Sequence, residues 1–129
     1  MCPPPYDYER VLAGIDGARG DAILQTTSPL FFQDRQRFPG VALAHRLPAM
    51  FALRQWVDAG GLISYGASLS AMGRLAADYV DHIAKGAKPA DLPVQQPAKF
   101  ELALNLRTAQ ALGLTIPPSI LARADEAIE

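Results

Sequence analysis

The chain has 129 residues, half of them hydrophobic and 19% charged, with a formal net charge of −1. This length fits one domain with a substantial core, and the small net charge gives no bulk field that would attract nucleic acid or an anionic membrane surface. The single cysteine, Cys2, excludes an internal disulfide and indicates neither a metal site nor a small disulfide-stabilised fold.

The first predicted elements are a helix and a short strand. Residues 7–18 carry apolar side chains at helical spacing, with Asp7 as the expected N-cap and with Gly17 and Gly20 as the expected stop signals. Residues 21–26 form a short apolar run bounded by glycine and proline, which is typical of a buried parallel strand.

A second helix is predicted from residue 28 onward. Ser28 and Pro29 suit the N-cap and first helical positions, and the helical pattern continues to His45. Pro39 and Gly40 interrupt that pattern, because proline removes a backbone donor and glycine adds an entropy cost. We therefore expect a kink, a break or a restart at residues 38–40.

Three short elements follow in the middle of the chain. Residues 47–53 predict a strand, residues 54–59 a helical turn and residues 62–65 another strand. Trp56 lies on the helical turn, where we interpret it as a hydrophobic plug.

The last part of the chain begins with the longest predicted helix, which Ser68 caps and Gly86 ends. The remaining predicted elements are a Pro-rich extended stretch (88–98), a strand (100–105), a short helix (107–112) and a final helix (118–128). Strands that alternate with helices indicate the α/β class, with a largely parallel sheet flanked by helices.

A binding crevice is expected beyond the carboxyl ends of the parallel strands, where loops and helix starts present free N–H groups. The hydroxyl groups of Thr26, Thr27 and Ser28 follow the first strand and suit a carboxylate. Their alternative role is an ordinary N-cap box. Leu53 and Arg54 follow the second strand, where Arg54 either pairs with a ligand carboxylate or caps the strand end in solvent.

Three phrases carry a family resemblance: GGLISYG at 60–66, KGAKPADLP at 85–93 and NLRTAQALGLTIP at 105–117. In this order they resemble the C-terminal part of ABC-transporter substrate-binding proteins of the tryptophan and tyrosine type. The resemblance runs from about residue 8 to residue 129. It implies the type 1 periplasmic binding fold, in which two α/β lobes are joined by crossover strands and close on a ligand.

The resemblance also implies how this chain is organised. We expect a single α/β unit over residues 1–129. Residues 6–66 would supply the βα units of the second lobe, and residues 67–129 the long helix, the Pro-rich crossover and the final strand and helices. Tyr65 and Gly66 would bring an aromatic face and a close backbone approach to the crevice, and the alternative is a tyrosine packed between domains.

The function that the resemblance implies is substrate binding for an ABC transporter. The expected ligand is a small amino-acid-like or aromatic carboxylate, bound weakly, and the partner of a full-length form is an ABC permease. We expect no cofactor, no metal and no nucleic acid, and the residues assemble no nucleophile with a base, so no enzyme is predicted.

A second function is left open by the N-terminus. MCPPPYDYERV has no apolar signal segment, and the first lobe is not expected in this chain, so as written it would be cytoplasmic, whereas full-length relatives are periplasmic or lipid-anchored. The alternative is a cytoplasmic oligomerisation or interaction module. Apolar faces that another lobe would cover predict a homo-oligomer, formed by exchange of helix 68–85 or of the C-terminal segment.

Overall fold

A mostly parallel sheet forms the centre of the fold in the computed structural model, which describes residues 6–15 and 21–129. Its strands are β1 (Ile23–Gln25), β2 (Ala49–Phe51), β3 (Ile63–Ala67), β4 (Phe100–Asn105) and β5 (Glu126–Ile128). They lie side by side in chain order. β1, β2 and β3 are parallel, β4 is antiparallel to β3, and β5 is parallel to β4. The predicted α/β class is confirmed.

Helices connect the strands. They are α1 (Tyr8–Leu12), α2 (Pro29–Gln33), α3 (Phe38–Ala44), α4 (Arg54–Asp58), α5 (Leu69–Ala84), α6 (Leu106–Ala111) and α7 (Pro118–Leu121), with a 3-10 turn at Pro89–Asp91. In residues 6–15 and 21–129, no helix has the length and apolar character needed to span a membrane.

The predicted caps of the first and longest helices are present. The Asp7 side chain accepts a hydrogen bond from the Arg10 N–H in α1, and the Ser68 side chain accepts one from the Ala71 N–H in α5. α1 ends at Leu12, six residues before the predicted end at residue 18. The expected stop signals Gly17 and Gly20 lie outside the described residues.

The restart predicted at residues 38–40 is present, but the break itself lies earlier, at residues 34–37. α2 ends at Gln33, and a new helix, α3, begins at Phe38 with Arg37 as its N-cap. Pro39 is therefore in the first turn of α3, where its missing N–H breaks no helical hydrogen bond. The single helix expected over residues 28–45 is two helices.

The prediction of a buried first strand is wrong for most of its length. β1 pairs with β2 on one side and is an edge of the sheet in the described part of the chain. The side chain of Leu24 is 69% exposed, and Gln25 is the one buried residue of the strand. The apolar run correctly predicted a parallel strand, but β1 pairs on one side only and the face that carries Leu24 is largely exposed.

The helix predicted over residues 118–128 is also wrong in its second half. α7 ends at Leu121, and the chain then forms β5. The Asp125 N–H donates to the Leu102 carbonyl at 2.9 Å, and the Asp125 carboxylate accepts from the Leu102 N–H at 2.8 Å. Pairing with the open edge of β4 thus overrides the helical propensity of the segment.

Four aromatic side chains form the centre of the core. Phe38 makes edge contacts with the rings of Tyr8, Phe51 and Trp56, at centroid distances of 4.9, 6.2 and 6.1 Å. Phe51 and Trp56 stack with centroids 5.0 Å apart. Such pairs add to the free energy gained from burial alone. Trp56 is 1% exposed, which confirms its interpretation as a hydrophobic plug.

The Tyr8 hydroxyl links α1 to the turn between α2 and α3. It donates to the Asp34 carboxylate at 2.6 Å. Burial of the phenol, and then this hydrogen bond, raise the pKa of Tyr8 well above its ordinary value. The neutral hydroxyl is therefore the form that stabilises the fold.

Tyr8→Phe is expected to lower the free energy of unfolding by about 1 kcal/mol at neutral pH, because one hydrogen bond is lost. A raised pKa in the folded state gives stability that is fully present below the unfolded tyrosine pKa of about 10 and is lost as pH rises above it. Urea unfolding from about pH 7 to about pH 11 should show the wild type and the variant converging at the alkaline end. Tyr65→Phe, at a ring that is 53% exposed, is the control, and a constant difference for Tyr8→Phe would contradict this account.

Candidate functional site

A cavity of about 390 Å³ lies beyond the carboxyl ends of β1 and β2. Its walls come from the segment after β1, from α2, from the turn after β2 and from the first turn of α5. The lining residues are Gln25, Thr27, Ser28, Pro29, Phe32, Gln33, Ala52, Leu53, Trp56 and Leu69. This is the position at which open α/β sheets bind ligands, and the volume is within the range of small-molecule sites.

Two of the lining residues, Thr27 and Ser28, have hydroxyl side chains. Ser28 is the N-cap residue of α2, but its side chain makes no capping hydrogen bond. The alternative of an ordinary N-cap box is therefore not what the structure shows. Because the helix start does not engage the Ser28 hydroxyl, that group can hydrogen-bond to a ligand.

The part of the wall formed by Ala52 and Leu53 depends on a close backbone contact at Gly66. A Cβ atom added to Gly66 would overlap the carbonyl oxygen of Ala52. Ala52 and Leu53 form the turn after β2 that lines the cavity. The close backbone approach expected at Gly66 is thus present, and its partner is this turn.

A second glycine packs against the same region. A Cβ atom on Gly61 would lie 2.6 Å from the Phe51 ring and 2.8 Å from the Trp56 carbonyl oxygen. The hydrogen bond from the Gly61 N–H to that carbonyl is 2.8 Å long. Phe51, before the Ala52–Leu53 turn, and Trp56, after it, therefore pack directly against the backbone of Gly61.

Side chains of the segment NLRTAQALGLTIP (105–117) hydrogen-bond to the backbone at and just after the C-terminal end of α4. The Thr108 hydroxyl donates to the Gly60 carbonyl at 2.9 Å. Asn105 caps α6 by accepting from the Thr108 N–H at 3.1 Å and donates its amide to the Val57 carbonyl at 3.4 Å. Asn105 and Thr108 are thus structural residues of the α4 and α6 ends.

The structure brings three of the predicted site residues together. Thr27, Ser28 and Leu53 line the cavity. Thr26 lines a separate groove of about 370 Å³ between β1, α1 and the aromatic rings. Thr26 and Thr27 are adjacent in the sequence but thus line different surfaces.

Arg54 does not line the cavity and forms ion pairs with two carboxylates. Its guanidinium group is 2.7 Å from the Glu126 carboxylate and 3.5 Å from that of Asp58. The structure therefore gives Arg54 a role in linking α4 to β5, a contact that is distant in sequence.

Tyr65 is also outside the cavity. Its ring is 53% exposed and stacks on Phe100 of the neighbouring strand, with centroids 5.8 Å apart. Gly66 is not a lining residue of the cavity, and a Cβ atom added to it would meet Ala52 of the wall. A direct ligand contact from Tyr65 or Gly66 stays a prediction.

Gln25, Phe32 and Leu69 line the cavity and are not among the predicted site residues. The one sequence signal for a site role of Gln25 is its position as a polar residue at the end of an apolar run. Phe32 and Leu69 have the ordinary pattern of core positions, and their places in the wall depend on how α2 and α5 pack.

The lining residues carry no titratable side chain. In the part of the chain that the structure describes, no group of three His, Cys, Asp or Glu residues is positioned to hold a metal ion. The wall therefore offers hydroxyl and amide groups together with apolar and aromatic surface.

A mostly parallel sheet with a polar and apolar cavity at its strand ends is the arrangement of an α/β ligand-binding domain. A sequence model of the family described as ABC transporter substrate binding protein matches residues 19–128. The chain belongs to this family.

Solved structures show the same fold. A conserved domain protein from Vibrio cholerae O1 biovar El Tor is 28% identical with a TM-score of 0.81, and an ABC domain from Streptococcus pneumoniae in complex with L-Trp is 26% identical with a TM-score of 0.79. A ligand-free, open substrate binding protein with adhesive properties from Clostridium difficile is 17% identical, with a TM-score of 0.64, and supports the fold alone.

These likenesses extend over most of this chain and a smaller part of each relative. The first two cover 94% of this chain and the third covers 93%, but the chain spans 40% of the length of each solved structure. No curated protein matches it.

Gly66→Ala is expected to destabilise the fold by about 1–3 kcal/mol or more, because the added methyl group overlaps backbone that has little room to move. Gly73→Ala in α5 is the matched control, since nothing lies within 4 Å of the place that its Cβ atom would occupy. Alanine at that helical position should be neutral or stabilise by about 0.5–1 kcal/mol. Urea unfolding of both variants tests the contact, and equal stabilities would show that the Gly66 approach is not tight.

Proposed function

We propose that this chain supplies one wall of the ligand site of an ABC transporter substrate-binding protein. The ligand would be a small amino-acid-like carboxylate, with aromatic amino acids the first to test. The observation that carries the proposal is the cavity at the ends of β1 and β2, whose Ser28 hydroxyl is not used by the helix start. An ABC permease would be the partner of the assembled binding protein.

The cavity suits a molecule that is polar at one end. Among the lining residues, Thr27 and Ser28 have hydroxyl donors, and Phe32, Leu53 and Leu69 have apolar side chains. Ligand sites typically combine mostly apolar walls with a few convergent polar groups. The L-Trp complex of the Streptococcus pneumoniae relative supports an aromatic amino acid as the first ligand to test.

The lining residues include no cationic side chain, which lowers the affinity that we expect for a carboxylate ligand. A carboxylate would be held by hydroxyl groups without an arginine or lysine, so charge-assisted pairing with a cationic side chain adds nothing. A wall from one chain segment also encloses only part of a ligand, and enclosure contributes strongly to small-ligand affinity. We expect dissociation constants on the order of millimolar, which correspond to about 4 kcal/mol.

We propose binding without catalysis. Thr27 and Ser28 have hydroxyl groups, but no histidine, carboxylate or lysine lines the cavity with them. A hydroxyl nucleophile requires an adjacent base within hydrogen-bond reach. Membership of a substrate-binding family supports the same conclusion.

Titration with L-tryptophan and L-phenylalanine, followed by amide NMR, should give shifts that cluster at residues 27–28 and 52–53. Thr27→Val should reduce these shifts, because it removes a donor while keeping the shape of the side chain. Thr26→Val is the matched control, since Thr26 lines the other groove, and it should bind as the wild type does. No shift at any soluble ligand concentration would contradict the proposed site.

The surface of α5 favours a second candidate function, a non-transporting module that associates with itself. None of the residues of α5 is buried. Leu69, Met72, Val80 and Ile83 form one exposed stripe, with Val80 67% exposed. Contiguous apolar surface of this kind usually marks an association site. A second copy of the chain is the occupant we propose for this stripe.

Light scattering at high micromolar concentration is expected to show a dimer or a larger oligomer. Val80→Lys should shift the protein toward the monomer, because it places a charge in the apolar stripe. Asp78→Lys places a lysine on the opposite face of α5, two residues before Val80, and should leave the assembly intact. A wild-type chain that remains monomeric would rule out this second function.

A further inference from the structure

Phe32 supplies the aromatic ring of the cavity wall that a ligand can reach. Two of the lining residues are aromatic, Phe32 and Trp56, but Trp56 is 1% exposed and stacks on Phe51 in the core. Phe32 is only partly buried. An aromatic ligand that enters the cavity therefore has one ring of the wall to stack against.

The helical geometry of α2 turns the Phe32 side chain toward the cavity. Pro29, Phe32 and Gln33 all line the cavity, and their spacing of three and four residues places them on one face of the helix. Phe31 lies on another face, where it lines the separate groove together with Thr26. The two neighbouring phenylalanines of α2 thus border different surfaces.

The Arg35 side chain folds back onto Phe32 and contacts it at two points. Its Cζ atom lies 4.7 Å from the centroid of the Phe32 ring, and its Nη1 group donates to the Phe32 carbonyl oxygen at 3.1 Å. Arg35 itself is not a lining residue of the cavity. Since the guanidinium group covers one face of the ring, the surface that Phe32 presents to the cavity is on the other side.

The charge over the ring changes what the other side of the ring binds well. A guanidinium group is attracted by the π electrons of an aromatic face, and it draws electron density toward itself. The opposite face becomes less negative, so a second aromatic ring can stack on it with less repulsion between the two π systems. The same face becomes less favourable for a cationic side chain.

We infer that Phe32 is a specificity-determining residue that stacks against the aromatic side chain of an amino-acid ligand, and that Arg35 is a positioning residue that holds and polarises its ring. This inference rests on the proposed function and adds to it the group that selects the side chain of the ligand. The carboxylate of the ligand would bind the Thr27 and Ser28 hydroxyl groups, which belong to the same wall.

The test compares L-phenylalanine with 3-cyclohexyl-L-alanine, whose side chain has a similar size and no π electrons. The saturated ring is the more hydrophobic of the two, so burial alone would favour it. The wild type should nevertheless bind L-phenylalanine about three- to tenfold more tightly, the factor that corresponds to the gain of an aromatic pair beyond burial.

Phe32→Leu keeps an apolar side chain and removes the ring. The preference for L-phenylalanine, expressed as the ratio of the two dissociation constants, should therefore disappear or reverse. Phe31→Leu is the matched control, because Phe31 lines the other groove, and it should keep the wild-type ratio. Urea unfolding shows which variants fold, and Phe32→Met is the second variant if Phe32→Leu does not.

Arg35→Met removes the charge and keeps much of the length of the side chain, so the ratio should fall about twofold, part of the stacking gain. Arg35→Lys retains a cation that can lie over the ring and should restore the ratio. Arg37→Met is the control for this pair of variants. The Arg37 guanidinium lies 5.6 Å from the centroid of the Tyr8 ring, and Tyr8 lines the other groove, so loss of this cation should leave the ratio unchanged.

The outcomes distinguish the inference from the function on which it rests. Equal binding of both ligands to the wild type, or an unchanged ratio in a folded Phe32 variant, overturns the role of Phe32 and leaves the cavity as a site. An unchanged ratio in Arg35→Met overturns the positioning role of Arg35. Binding of neither ligand to the wild type overturns the proposed function and the inference with it.

Discussion

The geometry of the cavity depends on the packing of the turn between β2 and α4. Gly61 allows the Phe51 ring and the Trp56 carbonyl to approach the backbone, and Gly66 allows the Ala52 carbonyl to do the same. The stacked rings of Phe51 and Trp56 join the strand before the turn to the helix after it. Interiors packed at this density transmit strain, because they have no free volume to absorb it. The wall formed by Ala52 and Leu53 is therefore fixed by contacts that lie behind it.

Local signals predict the parts of the fold that local chemistry decides. The caps at Asp7 and Ser68 and the helix restart at Phe38, with Pro39 in its first turn, follow from hydrogen bonding and proline geometry within a few residues. The structure of residues 118–128 is not predictable in this way, because β5 forms by pairing with β4 across the sheet. Sequence periodicity contains no information on which strand edge is open.

The candidate site also combines features that the local sequence predicts with features that only the fold decides. Hydroxyl groups after a predicted strand are recognisable in the sequence, and Thr27 and Ser28 do line the cavity. Arg54 is a reasonable ligand partner by sequence, but the fold places Glu126 beside it. Gly66 lies in a phrase that suggests a ligand role, and its contact with Ala52 is a structural reason for glycine. The phrases that carry the family resemblance thus largely specify turns, caps and close contacts, and the polar groups of the cavity wall come from other residues, such as Thr27.

The antiparallel pairing of β3 and β4 makes residues 69–98 an insertion between two adjacent strands. The Ser68 N–H donates to the Lys99 carbonyl at 3.0 Å, so the two ends of the insertion are joined by a hydrogen bond that extends the strand ladder. α5 contributes no buried residue to the core. Such a segment can unfold as a cooperative subglobal unit while the sheet stays intact. Because Leu69 lines the cavity, each opening of that unit would also remove part of the cavity wall and expose a bound molecule to solvent.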